Sequence, residues 1–169
     1  VVKVKRLLAT AVVVTVLAMS CLSRNPTIEV YRDRFQSVTY YDIEKFSENL
    51  KTESINISRN EKRMLEDGDI LVYLTDQERL GKMLILELDK GESGFVFFDF
   101  VTYDENGLVF IEKKYVKLQA SYIFDFDKGI IPEKTEGVEL WCHNLDDVEM
   151  YLVPWNPAKL GKYPTAGLN

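Results

Sequence analysis

From Asp69 onward the apolar residues come in short runs broken by turn residues, at 70–75, 83–88, 95–103, 108–118, 121–126, 138–143 and 148–153. Runs of this length, rich in β-branched and aromatic side chains and bounded by Gly, Asp or Asn, read as strands. Seven of them joined by brief connections predict a mainly β fold, either an antiparallel sandwich or a small, partly open barrel. Residues 95–103 are apolar at odd and even positions alike, which predicts a strand covered on both faces.

Upstream the period changes. Over 38–68, Ile43, Phe46 and Leu50 recur at i, i+3 and i+7, the spacing of one helical face. Ser58-Arg59-Asn60-Glu61 has capping-box spacing, Met64-Leu65 follow, and Gly68 closes the segment; these signals predict a second short helix. One or two short N-terminal helices would then pack an apolar stripe against a sheet.

Turn chemistry proposes registers. Asn106-Gly107 suits a two-residue type I′ loop, which needs two positive φ angles. With that loop Asp99 falls opposite Lys114, an oppositely charged cross-strand pair. In the segment 138–153, a three-residue loop at 145–147 makes the two patterns agree: Leu140 faces Leu152 and Cys142 faces Met150 on one side, while Trp141 faces Tyr151 and His143 faces Glu149 on the other. A weak echo links Tyr73-Leu74 and Arg79-Leu80-Gly81-Lys82-Met83 with Tyr151-Leu152 and Lys159-Leu160-Gly161-Lys162-Tyr163. It suggests two similar hairpins, and coincidence explains it equally well.

The first twenty residues differ in kind. Lys3, Lys5 and Arg6 precede an uncharged run from Leu7 to Met19, the n-region and h-region of a secretory leader. Thirteen residues of helix reach only about 20 Å, short of the roughly 30 Å hydrocarbon core. The run ends Leu17-Ala18-Met19-Ser20-Cys21, which resembles the lipobox of bacterial lipoproteins, with Ala18 and Met19 where that family usually has Leu and a small residue. The resemblance implies diacylation of Cys21, which would become the mature N-terminus and hold the protein to a bilayer. Ordinary cleavage after Ala18-Met19-Ser20 is one alternative and an uncleaved anchor another. The expected organisation is a leader over 1–20, a lipidated cysteine and tether over 21–27, and one domain over 28–169. Leu22-Ser23 after the cysteine, without Asp, leans toward the outer rather than the inner membrane, by analogy with enteric bacteria.

Charge narrows the partners. Residues 1–20 hold three of the 21 Lys and Arg and none of the 27 Asp and Glu, which leaves 18 against 27 and a net charge of −9 in the remainder. Such a domain repels phosphate backbones, so nucleic acid is not an expected partner. Cys21 and Cys142 are the only cysteines, and acylation of the first leaves no intramolecular disulfide.

Few residues suggest chemistry. His143, the only histidine, adjoins Cys142, but neighbours on a strand point to opposite faces and cannot share a proton or a metal; Cys142 is expected to pack in the core with Val138 and Leu140. There is no Gly-x-Ser-x-Gly elbow. Asp125 and Asp127 share one face at a strand end, with Tyr122, Phe124 and Phe126 on the other, and two such carboxylates can hold Ca²⁺; no other cofactor is called for. The strongest constellation is aromatic. Trp141 and Tyr151, with His143 and Glu149 at the rim and Trp155 nearby, offer flat apolar faces and hydrogen-bonding groups to a sugar ring, or else they pack in the core. The expectation is a non-catalytic envelope module binding glycan or protein. An assembly lipoprotein that meets envelope proteins by its sheet edges is the alternative, and a carboxylate-based hydrolase is a third class.

Overall fold

A computed structural model of the chain describes residues 26–57, 64–88, 94–133, 137–144, 150–155 and 157–165. The body that carries the sheets runs over Tyr31–Asn169. The expected leader, Cys21 and residues 145–149 lie outside the described residues.

Period-two patterning is realised as nine strands among the described residues: β1 Ile55–Asn56, β2 Ile70–Leu74, β3 Leu80–Leu88, β4 Phe95–Tyr103, β5 Val109–Gln119, β6 Ile123–Phe124, β7 Leu140–Asn144, β8 Met150–Pro154 and β9 Lys159–Lys162. All pair antiparallel, in a five-stranded sheet ordered β5-β4-β3-β2-β9 and a four-stranded sheet ordered β1-β8-β7-β6. The fold is a β sandwich, with no closed barrel. All seven expected strands are present, and β1 and β9 join them. Neither addition carries a readable alternation: β1 has two residues and β9 reads Lys-Leu-Gly-Lys.

Alternation decides which side chains meet between the sheets. Leu71 and Tyr73 of β2, Met83 and Ile85 of β3, and Val96, Phe98 and Phe100 of β4 turn inward from one sheet; Phe124, Leu140, Cys142, Met150 and Leu152 answer from the other. Phe98, Phe100, Phe124 and Phe126 pack ring on ring with centroids 5.2–6.3 Å apart. Tyr73 stacks on Phe126 at 3.9 Å and bonds Thr102 Oγ1 at 2.8 Å. Its ring lies over Gly81, where any Cβ would come within 2.2 Å of it; glycine is the residue that lets the ring pass.

Helices cover the other face of the five-stranded sheet. Helix α1, Pro26–Ser37, opens on a proline, which suits the first helical position because its missing N–H has no intrahelical partner there. Its start falls inside the segment expected to be a tether. Helix α2, Tyr40–Phe46, is capped by Thr39 and Asp42, each side chain bonding the other's backbone N–H, and a single 3₁₀ turn follows at Ser47–Asn49. Phe35, Val38, Ile43 and Leu50 are buried on this side, as are Val72, Leu84 and Val101 of the sheet. The expected stripe Ile43, Phe46, Leu50 therefore does face a sheet, though Phe46 remains half-buried.

Four local expectations are corrected. Residues 64–66 are not helical: Met64 N–H bonds Asn56 O, Leu65 is fully buried among the sandwich residues, and Gly68 turns at φ +91°; residues 58–63 lie outside the description. The 104–107 loop is not a type I′ turn. Of Asn106 and Gly107 only the glycine has positive φ; Gly107 N–H bonds Asp104 O, and Asp104 Oδ1 accepts from Asn106 and Leu108 N–H. Asp104 acts as an Asx cap, and with Asp104 N–H bonded to Leu108 O the loop is one residue longer than the shortest hairpin. Asp99 does not pair with Lys114. The strand bulges opposite it, Tyr115 adopts φ +58°, and Asp99 instead takes Tyr115 N–H at 2.8 Å and the Arg32 guanidinium at 2.7 Å. Asp99 is 2 % exposed beneath α1 while Lys114 is in solvent, so a buried carboxylate takes the partner that shares its burial. The echoed segments do not form two hairpins either, because the chain crosses from β8 in one sheet to β9 in the other. Strands β3 and β9 instead flank β2, with Val72 opposite Lys82 on one side and Gly161 on the other.

Candidate functional site

The hairpin of β7 and β8 builds the aromatic face. Leu140, Cys142, Leu152 and Met150 point into the core, so strand alternation turns Trp141, His143, Tyr151 and Val153 outward. The sides are those expected, but the register is shifted by two: Cys142 pairs with Leu152, Trp141 with Val153, His143 with Tyr151, and Asn144 with Met150. A shift of two preserves every facing, which is why the face was legible and the pairing was not. The expected loop at 145–147 and Glu149 lie outside the described residues.

Trp141 and His143 stack with centroids 4.0 Å apart and planes 10° from parallel, and Trp155 meets Trp141 edge-on at 5.7 Å. Trp155 N–H bonds Glu139 O at 2.9 Å, which fixes where its ring leaves the strand. Beside the row lie Ile123, paired with Trp141, and Asn56, paired with Tyr151. Trp141, His143, Tyr151 and Trp155 are each half-buried, and none joins the sandwich core. One face of Trp141 is taken by His143, and all four rings keep part of their surface exposed.

Cys142 is wholly buried, and burial pushes its thiol up to about 12. A thiol so far from ionisation is not a nucleophile. The expected divergence of Cys142 and His143 is what the strand produces.

The two aspartates part company. Asp125 Oδ1 accepts from Lys128 N–H at 2.8 Å, and Oδ2 meets Lys128 Nζ at 2.7 Å. Both of its oxygens are thereby spent inside one tight turn. Phe124 and Phe126 are core residues, whereas Tyr122 is 49 % exposed.

Asp127 turns instead toward Asp76 and Glu139, and one carboxylate oxygen from each of the three lies within 4.8 Å of the others. Asp76 follows β2, and Glu139 immediately precedes β7. Glu139 Oε2 accepts from Phe126 N–H at 2.7 Å, while Oε1 has no hydrogen-bond partner. The Asp127 oxygens are also buried without an aligned hydrogen bond, although Arg79 Nη1 forms an ion pair at 3.2 Å. Burial pushes the Glu139 carboxyl up to about 9 against the pull of Phe126 N–H, and Asp125, Asp127 and Asp76 push the same way as burial. Burial raises Asp127 as well, with Thr75 and Arg79 opposing. Neither Asp76 nor Glu139 is marked by spacing; the one signal is an acid lodged between Val138 and Leu140, both core residues.

Comparison with protein-family models, curated proteins and solved structures gives no match. Function has to be argued from the side chains themselves.

Proposed function

We propose that this chain is a bacterial envelope lipoprotein, held to the outer membrane by lipid on Cys21, whose sandwich is a non-catalytic module that binds glycan through Trp141, His143, Tyr151 and Trp155. The observation that carries this reading is the half-exposed Trp141–His143 stack with Trp155 set edge-on, on the outward face of the four-stranded sheet. A sugar ring presents an apolar C–H face to an aromatic plane and hydroxyls to polar groups at its rim. Here the planes come from the two tryptophans and Tyr151, and the rim from the imidazole and the phenol. Interlocked rings lose little conformational freedom when a ligand lands on them, which favours binding. Glu149 belongs to the same proposal on the sequence alone.

The test is acrylamide quenching of tryptophan fluorescence on the full chain, with and without a panel of soluble polysaccharides. A glycan ligand lowers the quenching, and Trp141→Ala weakens that protection at least tenfold while leaving the melting temperature within a few degrees, because the residue lies outside the core. Quenching that no polysaccharide alters would refute the glycan reading.

A second reading, assembly with other envelope proteins, has its own observation. Strand β5 is an edge of eleven residues, and Leu108, Val109 and Phe110 at its start are 66 %, 58 % and 49 % exposed. Long edges with apolar side chains invite another strand. Under this reading Trp141→Ala is silent and partners co-purify with the wild type.

A further inference from the structure

The cluster of Asp76, Asp127 and Glu139 is short of positive charge. Among the described residues Arg79 is the one cation set in an ion pair with any of the three, and Lys128 nearby is committed to Asp125. Together the three acids bring more carboxylate than that one guanidinium can neutralise. The deficit is matched by a geometric one. Glu139 belongs to the cluster and is 2 % exposed, yet its Oε1 has no hydrogen-bond donor, and Asp127 has only Arg79 and Thr75 to draw on. Buried polar atoms are nearly always satisfied, and an exception calls for a missing ion or water.

We propose that Asp76, Asp127 and Glu139 hold a Ca²⁺ ion. The donors are all carboxylate oxygens, with no imidazole or thiolate, which suits a hard cation rather than zinc or copper. Two oxygens bound to one Ca²⁺ at about 2.4 Å stand no more than about 4.8 Å apart, and the three oxygens fall within that span. The ligands come from three separated segments, an irregular set that suits the loose coordination of Ca²⁺ better than the strict octahedron of Mg²⁺. The ion would do structural work. Asp76 belongs to the turn between β2 and β3 of one sheet, and Glu139 leads into β7 of the other, so a shared cation ties the two sheets together at this end. Glu139 also holds Trp155 through its carbonyl. The ion therefore steadies the backbone at Glu139 that anchors Trp155 just past β8, whether or not that tryptophan meets a sugar.

The experiment uses the full chain stripped with EDTA, melted with and without CaCl₂ or MgCl₂, and titrated with Tb³⁺ under tryptophan excitation. With Ca²⁺ at one hundred times its dissociation constant the melting temperature rises by roughly 5–10 °C, and Tb³⁺ gives sensitised emission that Ca²⁺ displaces. Glu139→Gln keeps an acceptor for Phe126 N–H and removes a charge, so it folds and loses the Ca²⁺ shift. Asp76→Asn, on a turn, loses it too, and Glu105→Gln on the exposed hairpin tip keeps it. No shift and no Tb³⁺ emission would overturn the proposal. So would a shift that survives both Glu139→Gln and Asp76→Asn, or one produced by Mg²⁺ and not Ca²⁺. None of these readouts uses a glycan, so the site stands or falls apart from the aromatic row.

Discussion

Lys82 shows how a single residue can look misplaced in the sequence and be required by the structure. It sits in the middle of β3 and is 2 % exposed, its Nζ donating to Phe35 O and Val38 O at the end of α1 and lying 4.3 Å from the Phe35 ring. The carbonyls of a last helical turn lack intrahelical donors and carry the negative end of the helix dipole, so an ammonium there satisfies both needs. Lys82→Met removes the donor and leaves those carbonyls buried, and the expected cost at pH 7 is about 1–3 kcal/mol, read from urea unfolding. Burial lowers the Lys82 amine to about 8, against the opposing charges of Glu112 and Asp42. Below about 8 both folded and unfolded chains hold the proton. Between about 8 and the ordinary 10.5 the unfolded chain holds it and the folded chain does not, so stability attributable to Lys82 rises with pH across that window. The difference in unfolding free energy between wild type and Lys82→Met should therefore widen from pH 8 to pH 10; a constant difference would mean the amine does not titrate there.

Among the elements, α2 depends most on its cap. Seven residues are too few to be helical alone, so burial of Ile43 and the Thr39–Asp42 box must together hold them. Thr39→Ala is expected to cost about 1 kcal/mol, measurable by thermal or urea unfolding. Hydrogen bonds from Thr39 hold the Asp42 carboxyl below its usual range, with burial opposing and Lys45 and Lys82 assisting. A depressed carboxyl stabilises the fold above its ordinary pKa, and that contribution disappears as pH falls through the folded value. Wild type and Thr39→Ala should thus converge in stability at acid pH, whereas at neutral pH they differ. The strands show the complementary behaviour. Their existence follows from alternation and their edges from turns, but β4 and β5 carry bulges at Phe98/Phe100 and Thr102/Tyr103 that no local rule announces. At the bulge beside Asp99 the carboxylate meets Arg32 of α1 and Tyr115 N–H together.

At the scale of the whole molecule the sandwich is asymmetric. One sheet is roofed by helices, and the other presents Trp141, His143, Tyr151 and Trp155 outward. Among the described residues no helix covers the smaller sheet, which is the face the proposed function uses. The lipid anchor belongs to the same scale: Cys21→Ala should move the protein from the membrane fraction to the soluble one on detergent-free fractionation, and unchanged membrane association would remove the anchor from the proposal. Cys142, buried and far from ionisation, would not compensate for it.

The sequence by itself determined the class of the fold, the place of seven strands, and the facing of Cys142 inward against Trp141 and His143 outward. These are local quantities: side-chain direction repeats every two residues along a strand, and the choice between core and solvent follows from which set is apolar. Tertiary structure decided the rest. The two-residue shift of the β7–β8 pairing keeps every facing and so leaves no trace in the alternation. Leu65 is buried in the sandwich core from a non-helical segment, and Asp99 exchanges Lys114 for Arg32, sixty-seven residues away along the chain. Asp76, Asp127 and Glu139 meet because two sheets fold over one core, and convergence of three distant acids is a property of that packing which no spacing along the chain can encode.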